Sequence, residues 1–170
     1  DEVQTGVYRT GEFLASNLYE IEPDIITLAK GLGGGVPIGA VITKHKDIWG
    51  AGDHGSTFGG NYLVTSTGLE VLDILEELKD SGKLDETIIY FTKKLDELYE
   101  NNRDIFITHV GLGLMRGLRV KDGDTLALLI KTAFECGVMV LKSGNNTLRF
   151  LPALTISKFE IDEGFKRLQA

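Results

Sequence analysis

Two groups in this chain have the chemistry of a carbonyl-handling site: the carboxylate of Asp1 and the amine of Lys30. Asp1 opens the run Asp1-Glu-Val-Gln-Thr-Gly6. Lys30 follows the apolar stretch Ile25-Ile-Thr-Leu28-Ala29 and precedes Gly31-Leu-Gly-Gly-Gly35. An apolar run bounded by Pro23 and by glycines reads as a buried strand. Such a strand delivers the lysine to the lip of a sheet, where glycines let backbone or ligand come close. A lysine held there loses solvation, which favours the neutral amine, a competent nucleophile toward a carbonyl carbon. Taken singly, a lysine after a strand is most often a surface lysine, and an aspartate such as Asp1 is most often solvated or capping; the apolar run and the glycines around Lys30 shift that balance.

Other candidates carry less on their own. Gly50-Ala-Gly-Asp-His-Gly-Ser-Thr-Phe-Gly-Gly-Asn61 is a long glycine-rich loop in which Ser56, Thr57 and backbone N–H groups could cradle a phosphate. It is no Walker loop, because Ser56 stands where the lysine belongs, and Gly31–Gly35 lacks dinucleotide-fingerprint spacing. Gln4 and Thr57 are mute in isolation. Arg149, inside Leu148-Arg-Phe-Leu-Pro152, is costly in an apolar strand unless it meets a carboxylate or an anionic ligand, and both remain open. His45, His54 and His109 are scattered without ligand spacing, so no metal site is expected.

The elements that must position these groups follow from periodicity. A net charge of −7 without a basic run speaks against a nucleic-acid surface, and the lone Cys136 excludes an internal disulfide framework. That cysteine usage suits a reducing, cytoplasmic setting, and no apolar stretch reaches the roughly 18 residues of a membrane helix. Residues 11–19 predict a short helix and Pro37–Thr43 a second buried strand. Val71, Ile74, Leu75 and Leu78 predict one face of a long helix running from Tyr62 to about Lys79. Leu84, Ile88, Phe91, Leu95 and Leu98 predict another helix, ended by Asn101-Asn102. Strands are expected over 105–110, 114–120, 138–141 and 147–151. A helix capped by Asp122 or Asp124 should bury Leu126, Leu129, Ile130, Ala133 and Phe134. Ser157-Lys-Phe-Glu160 is a capping box opening a last helix. The expected division is α/β over 1–79 and a small α+β unit over 80–170. A motif at the first residue also leads us to expect a C-terminal piece of a longer polypeptide.

Four motifs in order, Asp1–Gly6, Ala29–Gly35, His54–Asn61 and Leu148–Pro152, resemble the class III (ω-amino acid) aminotransferases, which depend on pyridoxal phosphate. Arg9-Thr-Gly11, Gly137-Val-Met-Val-Leu141 and Ile161-Asp-Glu-Gly164 look most like the acetylornithine-using branch. The resemblance covers essentially the whole chain. It departs at Tyr62, where the family commonly has proline, and at the polar run Val64-Thr-Ser-Thr67.

The resemblance implies a fold type I pyridoxal-phosphate transferase, here part of the large domain followed by the small C-terminal domain. By the same resemblance, Asp1 would keep the pyridine nitrogen protonated, Val3 would pack on the ring, and Gln4 would bond its 3′ oxygen. Lys30 would hold the cofactor as a Schiff base and shuttle the proton. Ser56 and Thr57 match the loop that reaches the neighbouring subunit's cofactor phosphate, which implies a homodimer. Arg149 matches the arginine that receives the α-carboxylate of glutamate or 2-oxoglutarate. The implied reaction moves the δ-amino group of N-acetylornithine to 2-oxoglutarate, in arginine biosynthesis. The alternatives are ornithine, succinyldiaminopimelate, 4-aminobutyrate or a diamine as donor, or a catalytically silent fragment or dimerisation module. In the family the other phosphate loop, the stacking aromatic and a second substrate arginine lie upstream of the Asp1 motif, so this chain alone is expected to be inactive.

Overall fold

Branched, apolar Ile25–Leu28 is extended as strand β1, and it pairs antiparallel with β2, Ala40–Thr43, with Leu28 opposite Ala40. Both read in sequence as buried strands, yet in the computed structural model only Leu28 is buried, and Ile25, Val41 and Ile42 are about half exposed. Two strands alone cover neither of their faces. The structure describes residues 1–169, and they divide into two compact units, Asp1–Ser81 and a second that begins at Gly82.

In the first unit the helix expected over 11–19 contracts to one uncapped turn, α1, Ala15–Leu18. Helix α2, Tyr62–Asp80, is long and well begun, because the Asn61 side chain accepts from the backbone N–H of Leu63 and Val64. Its inner line is Val64, Gly68, Val71, Leu75 and Leu78, in alternating steps of four and three. Ile74, expected inside, is exposed. Gly68 belongs to the line because the Leu32 carbonyl oxygen lies 3.4 Å from where its Cβ would stand. At Gly34, with φ +57°, a Cβ would stand 2.6 Å from Val71 Cγ2. The glycine turn after Lys30 and α2 therefore fit closely only because side chains are missing at the contact.

The second unit is a four-stranded antiparallel sheet in the order β3-β4-β6-β5. These strands are Phe106–Leu112, Met115–Val120, Thr147–Phe150 and Leu141–Ser143 respectively. Gly111, with φ +96°, sits where a Cβ would be 2.1 Å from the Met115 carbonyl oxygen, so the β3–β4 hairpin demands glycine there. Helices α3, Lys83–Asn101, α4, Gly123–Glu135, and α5, Lys158–Leu168, supply the rest of the core. Asp122 caps α4 by accepting from Thr125 N–H at 2.7 Å. Both bonds of the Ser157–Glu160 capping box are present at the start of α5. Leu84, Leu95, Leu114, Leu118 and Leu126 are fully buried, each such side chain contributing roughly 1.5–3 kcal/mol. The Phe91, Phe150 and Phe165 rings meet at centroid distances of 5.6–6.4 Å. Two expectations fail here: Phe134 is exposed, and β5 begins at Leu141 rather than Val138.

The register gives the sheet two unlike faces. Leu118 lies opposite Leu148, and Arg116 opposite Phe150, on the face that meets the helices. Gly117 lies opposite Arg149, and Arg119 opposite Thr147, on the other face. Among the described residues, no helix is long and apolar enough to cross a membrane.

Candidate active site

The sequence places Asp1 and Lys30 at two ends of a loop and strand, and the fold brings the two ends together. Glu2 N–H donates to the Thr27 carbonyl at 2.9 Å, which sets the first residues alongside β1. Asp1 Oδ1 accepts from Val3 N–H at 2.9 Å and from the Thr27 hydroxyl at 3.4 Å. Thr27 is three residues before Lys30, so this hydrogen bond ties the Asp1 carboxylate to the strand that leads into Lys30.

Glu2 is the group that sequence reasoning missed. It is buried, and its two oxygens accept from Ser16 N–H at 2.8 Å and from the Thr5 hydroxyl. Burial would raise this carboxyl, but donors from Thr5, Ser16 and Ala15 outweigh burial and hold it below its ordinary value. Gly6 closes against the same residue: its Cβ would stand 2.8 Å from both the Glu2 carbonyl oxygen and Leu28 Cδ2. A buried carboxylate thus clamps the turn carrying Asp1, Val3 and Gln4. The signal available in sequence was the Glu2–Thr5 spacing, which alone says little.

Backbone strain gathers in the same place. Val7, Tyr8 and Lys30 have φ of +55°, +64° and +44° without being glycine. Each left-handed residue of this kind costs roughly 1–2 kcal/mol. Val7 is held there by burial and by donating its N–H to the Phe13 carbonyl at 2.7 Å. The loop is further tied to α2, since Lys79 Nζ donates to Glu12 Oε1 and to the Gly11 carbonyl, both at 3.0 Å. Lys30 differs from expectation in being exposed rather than desolvated, and it is left-handed at the start of the tight turn Lys30–Gly33. Strained residues of this kind persist where the surrounding structure holds them, often at reactive groups.

The remaining candidates are uncommitted. Gln4 is half-buried, Thr57 and Lys30 are exposed, and none of their side chains has a hydrogen bond or ion pair among the described residues. Ser56 Oγ accepts from Gly59 N–H at 2.9 Å and shapes the exposed loop ahead of Asn61. Asp1 keeps Oδ2 free of any partner among the described residues. A carboxylate oxygen at Asp1, an amide at Gln4 and an amine at Lys30, each without a side-chain partner among the described residues, are the groups that would suit a protonated pyridine nitrogen, a ring hydroxyl and an aldehyde.

In the second unit Arg149 is half-buried, and its Nε is buried without an acceptor. Of the two readings open for it, the structural ion pair is absent among the described residues. Arg116 and Arg119, which the sequence reading passed over, show the same unsatisfied Nε. An arginine within an apolar strand was the signal at each position.

Comparison with known proteins gives this arrangement a context. The family described as Aminotransferase class-III matches residues 1–170. The acetylornithine aminotransferase of Wolinella succinogenes is 56% identical over 169 residues, covering 99% of this chain and 43% of that protein. The solved acetylornithine aminotransferase from Elizabethkingia anophelis aligns with a TM-score of 0.87 at 30% identity, over 99% of this chain and 43% of that one. An ornithine aminotransferase structure from Toxoplasma gondii, described as revealing partial occupancy of PLP at its active site, gives 0.86 at 33% identity. It is matched over 99% of this chain and 41% of that one. The chain spans about two-fifths of the length of the curated relatives it matches.

Proposed function

This chain belongs to the class III aminotransferases, and from that premise we propose that the whole protein moves the δ-amino group of N-acetylornithine to 2-oxoglutarate with pyridoxal phosphate as cofactor. The observation that carries the reading is the Asp1–Thr27 hydrogen bond, which ties the carboxylate to the strand that ends at Lys30. Pyridoxal phosphate, when bound, supplies an electron sink for the carbon that carries the migrating nitrogen.

Each residue then has a task suited to its chemistry. Asp1 Oδ2 would accept a hydrogen bond from the protonated ring nitrogen and favour its charged form. Val3 would pack on the ring, and the amide of Gln4 would donate to the 3′ oxygen. Lys30 Nζ would be the amine that attaches to the cofactor aldehyde, and as a free amine it would be the base that moves a proton at the substrate carbon. The buried Glu2 keeps the Asp1 turn in place. Ser56 and Thr57, on an exposed loop, would contact the phosphate held by a second copy of the protein, in an active form that is a homodimer. Arg149 offers a planar fork to the α-carboxylate of glutamate or 2-oxoglutarate.

The name of the Wolinella relative favours N-acetylornithine, while that of the Toxoplasma structure favours ornithine. Glutamate formation by the whole protein, with 2-oxoglutarate and each amino donor in turn, separates them. The proposal expects kcat/KM for N-acetylornithine to exceed that for ornithine and 4-aminobutyrate. Preference for either of those donors would replace the substrate, and no amino transfer from any donor would remove the function.

A further inference from the structure

Strand β1 carries one hydroxyl, Thr27, in the otherwise apolar run Ile25-Ile-Thr-Leu28. Valine would meet the β preference of this half-buried position as well, so the strand itself has no need of the hydroxyl. Side chains alternate along the strand: Leu28 is buried against Gly6, and Thr27 is turned to the other side. There it meets Asp1.

Thr27 holds the first two residues through two different groups. Its carbonyl accepts from Glu2 N–H at 2.9 Å, and its hydroxyl donates to Asp1 Oδ1 at 3.4 Å. The same Oδ1 accepts from Val3 N–H at 2.9 Å. The Val3 bond lies within the turn and moves with it. The Thr27 bond instead fixes the carboxylate to β1, three residues before Lys30. Little slack separates Thr27 from Lys30, because Leu28 is buried and paired with Ala40, and Lys30 opens a tight turn with φ +44°. With both donors on Oδ1, Oδ2 is the oxygen without a partner among the described residues. Thr43, the hydroxyl on β2, serves a different end of the hairpin. It donates to the Asp24 carbonyl at 3.1 Å, accepts from His45 N–H at 3.1 Å, and lies opposite Ile25.

We infer that Thr27 is a positioning residue that acts through Asp1, its hydroxyl keeping Oδ2 available and in fixed register with the Lys30 backbone. The inference rests on the functional reading above and deepens it by naming what sets the ring-nitrogen partner against the aldehyde partner. In pyridoxal phosphate the nitrogen and the aldehyde-bearing carbon are opposite atoms of one rigid ring. A rigid ligand cannot take up slack between the two groups that hold it, so the protein must remove that slack beforehand.

Titration of the whole protein, stripped of cofactor, with pyridoxal phosphate tests this without requiring turnover, with circular dichroism in the absorption band of the bound cofactor as second readout. Thr27→Val keeps the branched shape and removes the hydroxyl. Its Kd should rise about three- to tenfold, the size of one modest hydrogen bond, and the dichroism per bound cofactor should fall as the ring is held less firmly. Thr27→Ser restores the hydroxyl and should recover most of both. Thr43→Val makes the same change at the other end of the hairpin and should alter neither. Should Thr27→Val fail to fold, Thr27→Ala against Thr27→Ser makes the same comparison. Unchanged affinity and dichroism in the variant without the hydroxyl overturn the inference alone. So does an equal loss in Thr27→Ser or Thr43→Val, which would assign the effect to hairpin stability. If the wild-type protein takes up no pyridoxal phosphate, the functional reading falls and the inference falls with it.

Discussion

The unit beginning at Gly82 and the unit before it solve opposite problems with similar lengths of chain. In the later unit, leucines at helical and strand spacing meet in a core with five fully buried leucine side chains, and two of its three helices, α4 and α5, have side-chain caps. Arginine Nε atoms without an acceptor among the described residues stand on both sides, at Arg116 beside the helices and at Arg119 and Arg149 opposite them. In the earlier unit the strands are half exposed, the short helix has no side-chain cap, and several residues are held left-handed. There a buried carboxylate, a lysine tether and missing glycine side chains do the holding. One unit is organised by burial of apolar surface, the other by hydrogen bonds that place reactive groups.

Substitutions should separate the two. The largest effect is expected at Lys30. Lys30→Gly should lower turnover of the whole protein by at least about 10²–10⁴-fold through loss of its proton-transfer group. The same change should leave thermal stability unchanged or raise it by about 1 kcal/mol, since glycine accepts the left-handed backbone freely. Loss of stability together with activity would place Lys30 in the structural framework instead.

Core truncation should show the reverse pattern. Leu95→Ala, at a fully buried position on α3, should cost about 2–5 kcal/mol in denaturant unfolding. Ile42→Ala, on the half-exposed β2, should cost less than about 1 kcal/mol. Equal costs would erase the contrast between the units.

Acid sensitivity sharpens the contrast in another way. The folded state holds the Glu2 carboxyl below its ordinary value of 4.5, so its ionised form stabilises the fold. That contribution is complete above the unfolded-state value and is lost as pH falls through the lowered folded value. Glu2→Gln should therefore be less stable at neutral pH, and the gap to wild type should close below about pH 4.5. A gap independent of pH would assign the loss to shape alone. The smallest effect is expected from Ser157→Ala, which removes one half of the α5 capping box and should cost about 1 kcal/mol.

How far the sequence could be read also differs between the units. The α3 face, the Asp122 cap and the Ser157–Glu160 box follow from periodicity and cap chemistry, which are local and need no partner. Phe134 escaped that logic because helical spacing names a face without saying how far the neighbouring elements cover it. The late start of β5 has a similar cause: Val138–Leu141 is apolar enough for a strand, but pairing with β6 begins only at Leu141. In the earlier unit the apolar runs of β1 and β2 revealed strands correctly and their burial wrongly, since burial depends on what lies over the sheet. Gly68 and Glu2 were illegible because their roles arise from contacts with Leu32 and Ser16, distant in sequence. Asp1 and Lys30 were legible as chemistry, and their connection through Thr27 emerged only in three dimensions.

The most direct test of the central claim is chemical. The whole protein, loaded with pyridoxal phosphate, is reduced with borohydride, digested, and the labelled peptide is sequenced by mass spectrometry. The account predicts a single pyridoxyl group on Nζ of Lys30, in the peptide that continues into Gly31-Leu-Gly-Gly-Gly35. A label on any other lysine, or none on a protein that binds the cofactor, would contradict it.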